Sequence, residues 1–478
     1  MTRLYSALFA ATLLVGTAAT THAQPNTGTP PDDKTTPTVD DKTPTADDKT
    51  KPDTQPDVDV KPKTETPPAV DNQPTTAPAP APVTVYAKKE PAVTLPLKVS
   101  ASFFTRYELR ENYADVGKAM GRFSEFDAFV YRARLGLATA PVDIGDGQKV
   151  GLRFVPQVSG FWADRGGTLV DSPMQLHEAV MRLTKDKFWL DVGRFEMIYG
   201  DHFVIGNVGW HETARSFDGA RAHFPIGGKG AWLETFVTQV GEGLLGGTTS
   251  TVGEGDKLFV GAYLGLGPNF GKGTALDAYA LSNVWLGAEQ DVSPEVTLGS
   301  RFKTRSGNMD ARVEAGVQLG KRPGDVSVFA FQGEGEVGFH VGKEMRVAAG
   351  GFFASGDDPD TDTDEGWNQL YPTAHKFLGW MDIIGGRSNA MGGMAKLKYK
   401  VDKKLIVGAH GHFFMRPQTA DGVDSYTGIE LDTFALKKLG KGLAFRAGYH
   451  IFLPNETGPL GNDTPVHYIE FTFKYTLK

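Results

Sequence analysis

The sequence predicts an all-β chain: a transmembrane antiparallel β-barrel of about 18 strands, preceded by a disordered Pro-rich segment. Three observations carry this reading. The chain opens on an export leader, no later stretch approaches the roughly 18 uncharged apolar residues of a membrane helix, and strand-like alternation runs to the last residue. Segment 127–140 shows that alternation plainly. Phe129, Tyr131, Ala133, Leu135 and Leu137 fall on one parity, and Val130, Arg132, Arg134 and Gly136 on the other. Successive side chains of a strand point to opposite faces, so this strand has an apolar face and an arginine face.

The elements follow in order. Arg3 supplies a positive start, Leu4 to Val15 is apolar, and Thr21-His22-Ala23 offers a cleavage site, so residues 1–23 read as a signal peptide. Residues 24–96 hold sixteen of the 29 prolines, and Asp-Asp-Lys-Thr recurs at 32, 40 and 47. Such a segment has too little apolar surface to offset its ordering entropy, so it reads as a disordered spacer. On the barrel reading it lies in the periplasm, as a solvated tether or a contact to peptidoglycan or a periplasmic assembly. Residues 97–478 then form the barrel.

Strand after strand repeats the pattern. Val99, Ala101, Phe103, Tyr107 and Leu109 oppose Lys98, Ser100, Ser102, Arg106, Glu108 and Arg110. Val150, Leu152 and Phe154 oppose Arg153 and Gln157, and Val313 to Leu319 alternate with Arg312, Glu314 and Gln318. Leu443 to Ile451 oppose Arg446 and His450, and Ile469 to Leu477 oppose Glu470, Thr472 and Lys474. Lipid offers no partner to backbone polar groups, so such strands must close on themselves. Stretches 231–241 and 325–341 alternate poorly, which leaves the count open by two. Short turns near 184–187, 226–230, 307–308 and 401–404 alternate with long connections at 111–126, 163–174, 198–216, 242–255, 356–388, 416–427 and 454–465, as barrels require. The absence of Cys suits a fold closed by strand pairing alone, and a formal net charge of −7 argues for no nucleic-acid partner.

Two stretches go beyond a generic barrel. One runs from Asp191-Val-Gly-Arg-Phe-Glu through Gly200-Asp-His-Phe-Val-Ile-Gly-Asn to Trp210 and closes on Arg215-Ser-Phe-Asp-Gly-Ala-Arg221. The other joins Ala354-Ser-Gly-Asp-Asp358, Leu370-Tyr-Pro-Thr-Ala-His-Lys-Phe-Leu-Gly-Trp-Met-Asp382 and Gly386-Arg-Ser-Asn389. Both resemble the alginate-export family of outer-membrane barrels. The resemblance covers 97–478 and implies an 18-stranded monomeric barrel whose arginine-lined constriction conducts an anionic polysaccharide outward. Arg194, Asp218 and Arg221 match within the first motif. Strand parity adds Arg106, Arg132, Arg134, Arg153, Arg312 and Arg446 to the expected lumen path. Lys478 stands where such barrels usually end in an aromatic residue, and the spacer is atypical.

Guanidinium groups read carboxylates in bidentate fashion and favour anions in a pore. The alternative is that these arginines pair with Glu108, Glu178, Asp218 and Glu314 and stiffen the wall. No catalytic residue, cofactor or metal is expected. The acidic run Asp357 to Glu365 misses the EF-hand spacing and reads as a solvated loop. His410-Gly-His412 reads as a lumen or rim pair, lacking further ligands. Trp210, Trp367 and Trp380 are expected at the membrane interface. Loop 356–388 folds either into the lumen as a gate or outward as a cap. Expected partners are membrane lipid with lipopolysaccharide, and anionic polysaccharide or small anionic solutes. A general porin for small solutes, a surface adhesin, and least of all a hydrolase using Ser355 and His375 complete the alternatives.

Overall fold

The computed structural model describes residues 96–477 apart from 117–125, 163–173, 228–229, 241–256, 268–272 and 287–291. The expected leader and, but for Pro96, the spacer lie outside the described residues. Eighteen barrel strands follow in chain order. They are β1 Leu97–Glu111, β2 Phe126–Thr139 with its continuation Val142–Gly145, β3 Gln148–Trp162, β4 Gln175–Lys185, β5 Phe188–Phe195 and β6 Phe217–Ile226. Then come β7 Ala231–Gln239, β8 Lys257–Gly265, β9 Ala275–Leu286, β10 Val292–Ser306, β11 Met309–Arg322 and β12 Val326–Val341. The last six are β13 Met345–Ala354, β14 Ala390–Lys400, β15 Leu405–Met415, β16 Tyr426–Lys438, β17 Leu443–Pro454 and β18 Val466–Leu477.

Each strand pairs antiparallel with its neighbours in sequence. The sheet closes where β1 meets β18, with Ala101 opposite Leu477 and Glu111 opposite His467. Closure leaves no strand edge unpaired, which is why a sheet can sit in lipid at all. The outer face carries the apolar parity. Phe103, Leu135, Leu152, Val313, Phe471 and Phe473 are all exposed, and cross-strand aromatic pairs such as Tyr107 with Phe129 (5.2 Å) and Phe445 with Phe473 (4.7 Å) pave it.

One rim is made of tight turns, such as 186–187 and 307–308, where Gly307 takes the left-handed φ of 56° that a two-residue hairpin needs. The other rim carries the long connections, with two exceptions: β9 and β10 join there through five residues, 287–291, and β11 and β12 through 323–325 alone. Both poorly alternating stretches are strands, β7 and β12. Their inward positions hold Trp232 and Phe236, and Val328 and Ala330, in place of polar residues. The bore is not water alone at those places; apolar chain packs against the wall.

Arg at an outward, mid-strand position carries a desolvation cost that Phe does not. Phe471→Arg is therefore expected to destabilise the barrel by about 2–4 kcal/mol in a urea titration of the vesicle-inserted protein. A cost below about 0.5 kcal/mol, the range of an ordinary surface change, would place Phe471 away from lipid.

Candidate functional site: a bore filled by two inward segments

Two connections of the long-loop rim turn into the bore. They are 196–216, between β5 and β6, and 355–389, between β13 and β14. They are knitted to one another by backbone. Ile205 and Tyr371 form a parallel bridge, Gly206 N donates to Tyr371 O (2.8 Å), Tyr371 N to Val204 O (3.1 Å), and Thr373 N to His202 O (3.0 Å). A four-residue helix, α1 His375–Leu378, follows. Phe203, Val204, Ile205, Phe377, Leu378, Met381, Ile383 and Ile384 are buried together with wall residues Phe195, Phe259, Tyr263, Phe352, Phe414, Phe452 and Tyr468. The barrel thus has an apolar core inside its bore. Loop 355–389 folds into the lumen, not outward as a cap. Six of the ten described non-glycine residues with left-handed φ lie in these segments: His202, Val208, Ala214, Leu370, Asp382 and Asn389. Each such conformation costs on the order of 1–3 kcal/mol and persists only where its surroundings impose it.

The wall imposes it largely through arginine. Arg106 donates to Trp210 O (2.9 Å) and lies 4.1 Å from that indole. Arg132 donates to His211 O (2.8 Å) and Gly209 O (3.1 Å). Arg446 lies 3.8 Å from the Trp380 ring and also pairs with Glu470. On the far side, Arg301 and Lys303 hold Asp201 at 3.1 and 2.9 Å. Gln157 donates to Thr213 O (3.0 Å), and Tyr371 to Asn283 Oδ1 (2.9 Å). Glu430 accepts from Met381 N (3.0 Å), and any side chain added to Gly379 would run into that carboxylate.

Seven of the nine expected lumen residues point inward: Arg106, Arg132, Arg134, Arg153, Arg221, Arg312 and Arg446. Most are engaged. Arg106 pairs with Glu108, Arg134 bonds Gln157 (2.6 Å) and Glu196 (3.3 Å), and Arg153 pairs with Glu178. Arg221 meets Asp191 at 3.0 Å, and Arg312 pairs with Glu334, leaving Glu314 aside. Arg194 and Asp218 do not join them. They share the parity of outward Val192 and are opposite one another in register, while Asp191 and Phe195 take the inward positions. Arg194 grips Asp218 at 2.7 and 2.6 Å on the outer face and donates to Leu176 O (3.1 Å), where β3 and β4 lose register. The family motif includes both residues, but strand geometry turns them outward.

The three tryptophans expected at the membrane interface are inside instead. Trp367 is buried against Val328, Ala330 and Ala354; Trp380 stacks on His375, and Trp210 meets both edge-on. They lie on inward segments rather than on strands, so no parity governed them. Ser355 donates its hydroxyl to Glu365 O (2.5 Å) and accepts from Phe331 N (3.0 Å), so it is tied to backbone and holds the loop's entry. In the acidic run, Asp364 is bound by Arg322, and Asp357 caps Glu365 N (3.1 Å). The sequence reading missed inward Arg182, Arg301, Lys303, Arg346 and Lys396. The signal was present for β10, where Val296, Leu298 and Phe302 alternate with Arg301, Lys303 and Arg305.

Part of the bore's charge stays open to water. The side chains of Arg153, Arg182 and Lys303 are 47%, 44% and 49% exposed. On the β1–β4 side, a cleft of about 460 Å³ is lined by Lys98, Ser100, Ser102, Arg134, Arg153 and Glu178, among others.

The sequence and the barrel fold match known proteins. The "Alginate export" family pattern covers residues 161–451. The chain belongs to the alginate-export family. No curated protein sequence matches it. Solved barrels of Pseudomonas aeruginosa share its fold. OccK2 (OpdF) has 12% identity and a TM-score of 0.61 over 80% of this chain and 97% of that one. OpdK, crystallised with vanillate, has 12% identity and a TM-score of 0.57 over 80% and 98%. The outer membrane protein OpdK in a separate structure has 13% identity and a TM-score of 0.56 over 80% and 99%. Family and fold together make this an outer-membrane channel.

One contact in the inward segments sets a pH test. His375 Nδ1 lies 3.9 Å from Asp382 Oδ2. Burial drives the imidazole down to about 3 and the carboxyl up to about 7, so near pH 5 both are neutral. Undocked, His375 would be protonated and Asp382 ionised there, so the proton counts balance and docking is expected to vary little with pH. Asp382→Asn leaves only the histidine, so docking should weaken as pH falls from about 6.5 toward 3. His375→Gln leaves only the acid, so docking should weaken as pH rises from about 4 to 7. Iodide quenching of tryptophan against pH reads this directly; equal slopes in both variants would refute the assignment.

Proposed function

We propose that this channel passes anionic solutes, uronate-type polysaccharide chains among them, along a cationic path beside the docked segments. The observation that carries it is the water-exposed set Arg153, Arg182 and Lys303. These cations stay about half-exposed to the bore although each also meets one acid: Arg153 meets Glu178, Arg182 meets Asp191 (2.6 and 2.7 Å), and Lys303 meets Asp201 (2.9 Å). A charged ring that favours anions must bind each weakly enough to release it, and solvent-exposed guanidinium groups meet that condition. A uronate polymer carries one carboxylate per sugar, so spaced cations hand the chain from one to the next.

A specific observation favours a second reading, a channel for small anions only. The inward segments fill much of the bore with apolar core, which leaves less width for a polymer than an unobstructed 18-strand barrel would. OpdK's structure with vanillate shows a barrel of this fold with a small aromatic carboxylate. Oligouronate block distinguishes the two: a polymer path predicts current block that strengthens with oligomer length.

The short-turn rim, where both barrel ends lie, is assigned to the periplasm, so that the spacer 24–96 reaches peptidoglycan or periplasmic partners from there. The protein acts as a monomer with lipid and lipopolysaccharide around it.

In planar bilayers under a KCl gradient, the native channel is expected to show an anion-selective reversal potential. Arg153→Ala with Arg182→Ala should move it toward the cation side. An unchanged potential would overturn the anion path. Arg106→Ala with Arg132→Ala removes three hydrogen bonds to loop carbonyls and should raise open-channel noise and mean conductance; unaltered single-channel traces would show that these arginines do not hold the segment.

A further inference from the structure

We propose that His410, His412 and Asp432 form a site for one divalent transition-metal ion of the Zn²⁺ type in the bore wall, with His450 positioning the carboxylate. His410 and His412 share the inward face of β15, and Asp432 stands opposite His410 in register on β16. One ligand atom from each of the three lies within 4.8 Å of the other two, with His412 Nε2 3.7 Å from Asp432 Oδ2. In a tetrahedral site with bonds near 2.1 Å the ligand atoms stand about 3.4 Å apart, so small side-chain rotations close the cluster on an ion.

Asp432 is held for this from behind. His450, its register partner on β17, contacts the other oxygen, Nδ1 to Oδ1 at 2.7 Å. A carboxylate–imidazole contact of this kind fixes a ligand's orientation.

The unsatisfied atoms point the same way. His412 and Asp432 are 4% and 0% exposed, yet His412 Nδ1 and Asp432 Oδ2 have no hydrogen-bond partner, and neither does Glu430 Oε2 on the same face of β16. Orphaned buried polar atoms are rare, and a carboxylate pair at i and i+2 in one wall face repels itself unless a shared proton or a cation offsets it. The lysine next to His410 does not supply that cation: Lys396 donates to Glu336 at 2.9 Å. Two imidazoles and one carboxylate suit Zn²⁺, Co²⁺ or Ni²⁺. Calcium and magnesium call for all-oxygen shells of six or more ligands. His410 is only half-buried, so the fourth coordination position opens toward the bore.

The test uses the full chain folded in detergent micelles and Co²⁺ alone as the probe, with Zn²⁺ as competitor. The expected result is one Co²⁺ per chain with tetrahedral d–d absorption, displaced by Zn²⁺. His412→Ala and Asp432→Asn should abolish the band, and His450→Gln should weaken binding by about 10–100-fold. His467→Ala, outside the cluster, should leave it unaltered. Heat-modifiable gel mobility certifies that each variant is folded. If the buried variants fail that check, His410→Gln decides, because its half-exposed position does not govern folding. A folded native protein without the band overturns the site, as does a band that survives His410→Gln at unchanged affinity.

Discussion

The grip of wall arginines on the carbonyl oxygens of the inward segments is the interaction on which this bore depends. A closed sheet of 18 strands leaves a lumen wide enough for water, and side chains alone cannot fill it. Here two connections enter it and bring left-handed residues whose strain nothing local offsets. Arg106 and Arg132 supply the compensation, because a guanidinium is a rigid fork of donors that reaches one or two carbonyls at once. A hydrogen bond to a charged donor contributes roughly 1.5–3 kcal/mol, so three of them match the strain of two or three such residues. The apolar contacts of Phe203, Phe377 and Ile383 then add dehydration that the hydrogen bonds do not provide.

Charge on the wall is therefore sorted by depth of burial. Fully buried acids such as Glu108, Asp191 and Glu470 each have an arginine against them, since an unpaired buried carboxylate costs several kcal/mol. What stays near water is a set of half-exposed, acid-paired cations on both sides of the docked segments: Arg153 and Arg182 on one, Lys303 on the other. The acid pair Glu430 and Asp432 departs from this rule. It sits buried with one oxygen of each acid unmatched, and one oxygen of Glu314 is unmatched as well.

The barrel was legible because lipid enforces a period of two. Phe471, Phe473, Tyr475 and Leu477 must face outward, and no interior event relaxes that requirement. Inward positions are bound by no such rule. Where chain packs against the wall they become apolar, as Trp232 and Phe236 on β7 and Val328 and Ala330 on β12 show, and alternation fades there. The site was half legible for the same reason. Parity puts Arg106, Arg132, Arg312 and Arg446 on the inward face, where the structure has them, whereas the family motif includes Arg194 and Asp218, which lie on the outer parity. Trp210, Trp367 and Trp380 were beyond either signal, since a loop's direction is decided by what it meets inside the barrel.

An arginine that holds a peptide carbonyl is already shaped to hold a carboxylate. On the proposed function, this makes the docked segments placeholders for the cargo. A uronate arriving at Arg132 replaces two carbonyl contacts with a bidentate ion pair, so the exchange conserves donors while releasing loop strain. Transport of a chain then needs no separate opening energy at each residue, only a sequence of near-balanced substitutions along the wall. Arg106 and Arg446, which sandwich the Trp210 and Trp380 rings, set the stiff end of that sequence: displacing them exposes aromatic surface as well as breaking bonds. On the same reading, passage is easiest beside Arg153, whose side chain is 47% exposed, and hardest where Arg106, Arg446 and the two tryptophans interlock.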